Sequence, residues 1–168
     1  MINLTTSSIK GITNSSIAKS ERGDCFVRAL AAATDQDYDT AHFVAKTKFG
    51  RENRKGTQGL AIKTAFLAAE EKGLEINNIV YDVKVMSKSQ LTNRYKLKGE
   101  IYNRKKTVKS FIKSYPKGSY VVTVSGHALC VKDGKLIDNV GEEFRPTRKV
   151  DGAYKISNNR VSNQLQLF

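Results

Sequence analysis

The chain has 168 residues, with 29 Lys and Arg against 16 Asp and Glu, a formal net charge of +13 and a hydrophobic fraction of 39%. That length supports one domain spanning 1–168 with a core of its own, and seven Tyr with seven Phe separate it from disordered chains. No apolar run approaches about eighteen residues, and the first nineteen lack a basic start and an apolar stretch. Neither a membrane span nor a signal peptide is expected, which points to a cytoplasmic protein.

In chain order, a Ser/Thr/Asn-rich leader over 1–21 reads as coil. Residues 25–33 carry the Ala and Leu content of a buried helix that Cys25 would open. Asp37 or Asp39 can cap a second helix running to about Phe49, with Gly50 as its stop. After a polar turn over 51–56, Thr57 can cap a third helix that continues to Lys72 and ends at Gly73. Residues 79–86 read as a strand, and the basic stretch after it has no clear periodicity. Thr107 caps a short helix with Val108, Phe111, Ile112 and Tyr115 on one side, which Pro116 prevents from continuing. Residues 120–124 and 127–131 are β-rich, Asp133-Gly134 is a hairpin connector into 135–140, and a last strand spans about 150–156 before a polar tail over 157–168. Helices first and an antiparallel sheet afterwards is an α+β order.

The two cysteines suit no disulfide framework, and with His42 and His127 they show no metal-ligand spacing, so neither a metal nor a cofactor is expected. A thiol at a helix N-terminus is acidified by the helix dipole and by nearby N–H groups, which makes Cys25 the candidate nucleophile. It needs an imidazole base. His42 lies on the stripe of Tyr38, Ala45 and Phe49 and reads as structural, whereas His127 starts a strand after Gly126. A two-residue turn at Asp133-Gly134 pairs Cys130 with Ile137 and Leu129 with Asp138, so Asp138 shares a face with His127 and can orient its ring. The same parity puts Cys130 on the opposite face, as a packed core thiol. Gly23 leaves room for a substrate carbonyl, and the N–H of Cys25, with that of Gly23 or Asp24, can stabilise an oxyanion.

The runs Gly23-Asp24-Cys25-Phe26-Val27-Arg28-Ala29-Leu30, Pro116-Lys117-Gly118-Ser119-Tyr120-Val121-Val122 and Ser125-Gly126-His127-Ala128-Leu129 resemble the papain-like cysteine peptidase superfamily, in particular small bacteriophage-encoded papain-like proteins, over about 22–156. The first run is also similar to the nucleophile motif of ovarian-tumour-type deubiquitinases, with Arg22 in place of that family's Asp. The resemblance implies a papain-like fold, with N-terminal helices packed on a C-terminal antiparallel sheet, and a Cys25-His127-Asp138 triad. Papain carries a Gln six residues before its nucleophile to complete the oxyanion hole. Lys19 stands there, so another donor is needed: backbone N–H groups, or the side chain of Ser20 or Asn14.

The expected activity is therefore that of a thiol hydrolase (a peptidase, isopeptidase or deamidase) acting on a protein substrate, acidic or host-derived. The alternative is an inactive papain-like binding protein that holds nucleic acid or an acidic host protein. Its surface would be the basic stretch with Arg94, Arg104, Lys105, Lys106 and Lys109, where nine basic residues between Arg94 and Lys117 face the single acid Glu100.

Overall fold

A computed structural model describes residues 9–137 and 145–158. Its helices are α1 (Ser16–Ser20), α2 (Cys25–Thr34), α3 (Tyr38–Lys48), α4 (Gly59–Lys72) and α5 (Val108–Ser114). The strands are β1 (Leu74–Ile76), β2 (Ile79–Val85), β3 (Thr92–Leu97), β4 (Glu100–Lys105), β5 (Ser119–Val124), β6 (His127–Lys132), β7 (Lys135–Ile137) and β8 (Val150–Ser157). Six strands form an antiparallel sheet in the order β1-β2-β8-β5-β6-β7, and β3 pairs with β4 in a separate ribbon. The arrangement is α+β, and no helix among the described residues is long and apolar enough to cross a membrane.

Period-two alternation divides the sheet's side chains between two cores. Tyr81, Val83, Val121, Ala128, Cys130, Ile137, Tyr154 and Ile156 face α2, α3 and α4. On the other side Tyr120, Val122, Leu129, Val131, Leu136 and Ala153 meet Val108 and Phe111 of α5. The first core is organised by aromatic rings, with Phe66 stacked on Tyr154 at 4.5 Å and edge-on to Phe49 at 5.0 Å. The shortness of the side chains on α2 lets its backbone lie close to β6. Phe26, Val27, Ala29 and Leu30 through Ala33 are all buried.

Several expectations need correcting. The leader contains the short helix α1, because Ser15 accepts from the N–H of Ala18 and caps it. Helix α4 begins at Gly59 rather than after Thr57, and Gln58 occupies its cap position without a side-chain cap bond. Strand β1 and the whole β3–β4 ribbon were not foreseen. Both hairpins turn at residue pairs with positive φ, Asn77-Asn78 (54° and 66°) and Lys98-Gly99 (51° and 82°), the type I′ geometry that the strand twist favours. The Asp133-Gly134 turn has the same form, and its register pairs Lys132 with Lys135, Val131 with Leu136 and Cys130 with Ile137, as parity predicts.

Candidate active site

Asp24 takes the cap position of α2 but makes no cap bond. Its carboxylate is turned inward, where it accepts from the Tyr38 hydroxyl at 2.8 Å and from Arg28 Nε at 3.0 Å. Tyr38 is fully buried, and burial together with the Asp24 carboxylate pushes its hydroxyl pKa well up, so it stays a neutral donor. Asp24 thus ties α2 to α3 and leaves the first-turn N–H of Phe26 directed at the Cys25 sulfur.

Cys25 is half-buried, and burial by itself would raise its pKa. A hydrogen bond with the His127 side chain, the N–H of Ala128, the charge of His127 and the N–H of Phe26 together outweigh burial and bring the thiol below its ordinary value. Three of these four contributions come from β6, and that strand packs directly on α2. Cys130 is the internal contrast. It is completely buried within the first core, and its pKa is pushed up to about 12 by burial.

His127 is the first residue of β6, immediately after the Ser125-Gly126 turn in which Gly126 has φ 69°. Arg148 Nη2 donates to the Ser125 carbonyl and so ties that turn to the segment before β8. His127 still pairs with Val124, the last position of the β5–β6 ladder, and from that strand end its imidazole reaches the thiol at the start of α2, although strand parity groups it with Leu129 rather than with Cys130. Asp138 lies outside the described residues.

Cys25 and His127 line a cleft of about 760 Å³ between the α2 N-terminus, residues 49–59 and the β5–β6 hairpin. Gly23, with φ +60°, is part of its lining, and an added Cβ there would come within 3.0 Å of the Gly56 nitrogen. Its lack of a side chain thus serves the close approach of the 51–58 loop, a role the sequence reading assigned to substrate. That loop is pinned by a buried polar cluster. The Arg51 guanidinium pairs with Glu21 and sits 3.2 Å from His42 Nε2, while Glu21 also accepts from the N–H of Arg54 at 3.1 Å. His42 is buried, more deeply than the half-buried position expected, and its ring is engaged within this cluster.

The proposed oxyanion donors fare differently. Gly23 lines the cleft, whereas Asp24 is buried and not part of the lining. Ser20 is on α1 with its hydroxyl donating to the Ile17 carbonyl at 3.1 Å, and neither it nor Asn14 is part of the cleft wall. Sequence reasoning missed Thr57 and Gln58, both in the lining of the cleft. Thr57 Oγ1 is buried with no hydrogen-bond partner among the described residues, and Gln58 is an exposed residue of the lining whose side chain makes no cap bond. The Gly56-Thr57-Gln58-Gly59 run held that signal, since glycines on both sides of two polar residues suit a loop that approaches other backbone closely.

Among the basic residues, Arg94, Arg104 and Lys105 are on the ribbon and Lys109 is exposed on α5. Lys106 is a correction. It is buried, and its ammonium is consumed internally by Asn93 Oδ1 at 2.6 Å and Ser114 Oγ at 3.0 Å. No group of three or more His, Cys, Asp or Glu among the described residues is placed to hold a metal ion. No family model, curated protein or solved structure matches this chain.

Proposed function

We propose that this protein is a papain-like thiol hydrolase of the small bacteriophage type, acting on an amide, isopeptide or thioester carbonyl. The observation that carries this reading is a half-buried thiol at a helix N-terminus, opening into a cleft and hydrogen-bonded to His127.

In this reading the Cys25 proton passes to His127, and the thiolate adds to the substrate carbonyl carbon. The resulting oxyanion is met by the Cys25 N–H, with the amide of Gln58, another residue of the cleft lining, as a side-chain donor. Collapse expels the leaving amine, which takes the proton from His127 and leaves a thioester on Cys25. Water, deprotonated by His127, then attacks the thioester and releases the acid, and the departing thiolate recovers the proton. Asp138 would orient His127, on the sequence argument alone. With a primary amide as substrate the same steps amount to deamidation.

The test is alkylation of Cys25 by iodoacetamide as a function of pH. Cys25 should react ahead of Cys130, with an inflection below that of an ordinary thiol. His127→Ala should move the inflection up and slow labelling at pH 6.5 by about tenfold or more, since each pKa unit changes the thiolate fraction about tenfold. Reaction no faster than a free thiol of pKa about 8.5, or indifference to His127→Ala, overturns the reading.

A further inference from the structure

The basic stretch that lacked periodicity in the sequence stands apart from both cores. Strands β3 and β4 pair only with each other among the described residues, and all six residues of β4 are exposed. A lone two-stranded hairpin is marginal in water. This one is braced by Tyr95 stacked on Tyr102, with ring centroids 5.9 Å apart, and by Arg104 lying 5.2 Å above Tyr95. The Tyr102 hydroxyl donates to Glu100 at 2.7 Å, which engages the ribbon's one acid. Its base is anchored by Lys106 to Asn93 and Ser114 and by Lys105 to Asp151 at 2.7 Å. The result is an ordered arm of six-residue strands, about 20 Å long at about 3.3 Å per residue.

Register separates the two faces. Arg94 opposes Asn103 and Lys96 opposes Ile101, so these four share one face, while Tyr95, Tyr102 and Arg104 share the other. Lys98 is at the tip. Arg94, Lys96 and Lys98 are exposed and none has an acid across the ribbon on its own face.

We propose that the β3–β4 ribbon binds duplex DNA, with the Arg94 and Lys96 face and the Lys98 tip contacting phosphates along the major groove. A two-stranded ribbon fits the roughly 12 Å width of the B-form major groove, and the deep, narrow A-form groove excludes it. A bilayer is a poorer match, because the apolar tip residues Leu97 and Ile101 are on opposite faces and form no continuous patch. An acidic protein is poorer too, since the basic face offers only Ile101 as the apolar centre that a protein interface requires. This inference is independent of the thiol chemistry.

The experiment is fluorescence anisotropy of a short labelled DNA duplex of mixed sequence, titrated with the full chain over a range of salt. With three free cations the log-log slope of affinity against salt should be about −3, at about 0.9 per phosphate neutralised. The double variant Arg94→Glu, Lys96→Glu should reduce affinity by about tenfold or more and flatten the slope by about 2. Its circular dichroism and Cys25 alkylation rate should match the parent and so report an intact fold. Lys46→Glu, Lys63→Glu, with the same charge change on the exposed sides of α3 and α4, should lose much less. Unchanged DNA affinity in the ribbon variant, equal losses in the two double variants, or equally tight binding of an RNA duplex, phosphatidylserine vesicles or polyglutamate would each overturn the proposal.

Discussion

Asp24, Cys25 and His127 show how one local choice prepares a reactive group. A cap aspartate usually satisfies the first-turn N–H groups of its helix, but the buried Tyr38 hydroxyl and Arg28 claim this carboxylate. The N–H of Phe26 is thereby left to the sulfur, where it acts in the same direction as His127. If the proposed acyl chemistry holds, the Gln58 amide in the cleft lining is the group whose removal separates it from simple thiol reactivity. Alkylation develops no oxyanion, so Gln58→Ala should leave the iodoacetamide rate of Cys25 unchanged. Hydrolysis of a peptide amide should instead slow by about a hundredfold, in the range found when one oxyanion donor is removed. Kinetics of both reactions on the same preparation check this, and equal effects on the two would assign Gln58 to packing. The positions of Cys25 at a helix start, of His127 at a strand start and of Cys130 in a core were legible because residue type, helix-start position and strand parity are local properties. Gln58 was not, because its relevance depends on a loop folding back from more than thirty residues away in the chain.

At the level of elements, the cleft exists because residues 51–58 approach the turn before α2. Gly23 permits that approach in two ways, through its φ of +60° and through the space a Cβ would take beside Gly56. Gly23→Ala should therefore destabilise the protein by about 1–3 kcal/mol, the usual cost of a strained left-handed residue. Gly59→Ala, in the first turn of α4 with nothing within 4 Å of the added Cβ, should instead stabilise it by about 0.5–1 kcal/mol. Urea denaturation of the two variants checks the contrast. Strand and helix types were read correctly in α2, α5, β5 and β6, where burial of one face or of most of the element imposes the pattern, while the three-residue β1, though buried on one face, is too short to show a period. The ribbon escaped the same reading because β4 has no buried face and its alternation encodes pairing between the two strands only. Lys98-Gly99 was its available marker, as a turn that tolerates positive φ.

Across the whole molecule, a single sheet carries one core on each face, and the Glu21, His42 and Arg51 cluster joins α1, α3 and the cleft loop beside the larger one. The Glu21 side chain is only 4% exposed, and its burial would raise the carboxyl pKa, but hydrogen bonds from Arg51 and the N–H of Arg54, the Arg51 charge and His42 hold it below the usual value of 4.5. A carboxylate depressed by folding stabilises the native state above its unfolded pKa, and that contribution disappears as the pH falls through the lower, folded one. Stability should thus decline below about pH 4.5 through this group, with the cleft wall loosening in the same range. Glu21→Gln should remove that part of the acid dependence and, by leaving the Arg51 charge buried without its counter-ion, cost about 3 kcal/mol at pH 7. Thermal melts of both proteins from pH 3 to 8 measure the two effects together. The sequence by itself determined the α+β order, the placement of Cys25 and His127 at the starts of their elements, and the register of the Asp133-Gly134 hairpin, because helix periodicity, strand alternation and turn chemistry act within a few residues. Only the tertiary structure decided that His127 reaches Cys25 around a strand end, that Lys106 is buried while Arg94 and Lys96 are free, and that residues 51–58 close a cleft over the thiol. Those outcomes depend on which surfaces meet across the chain, and no local pattern encodes that meeting.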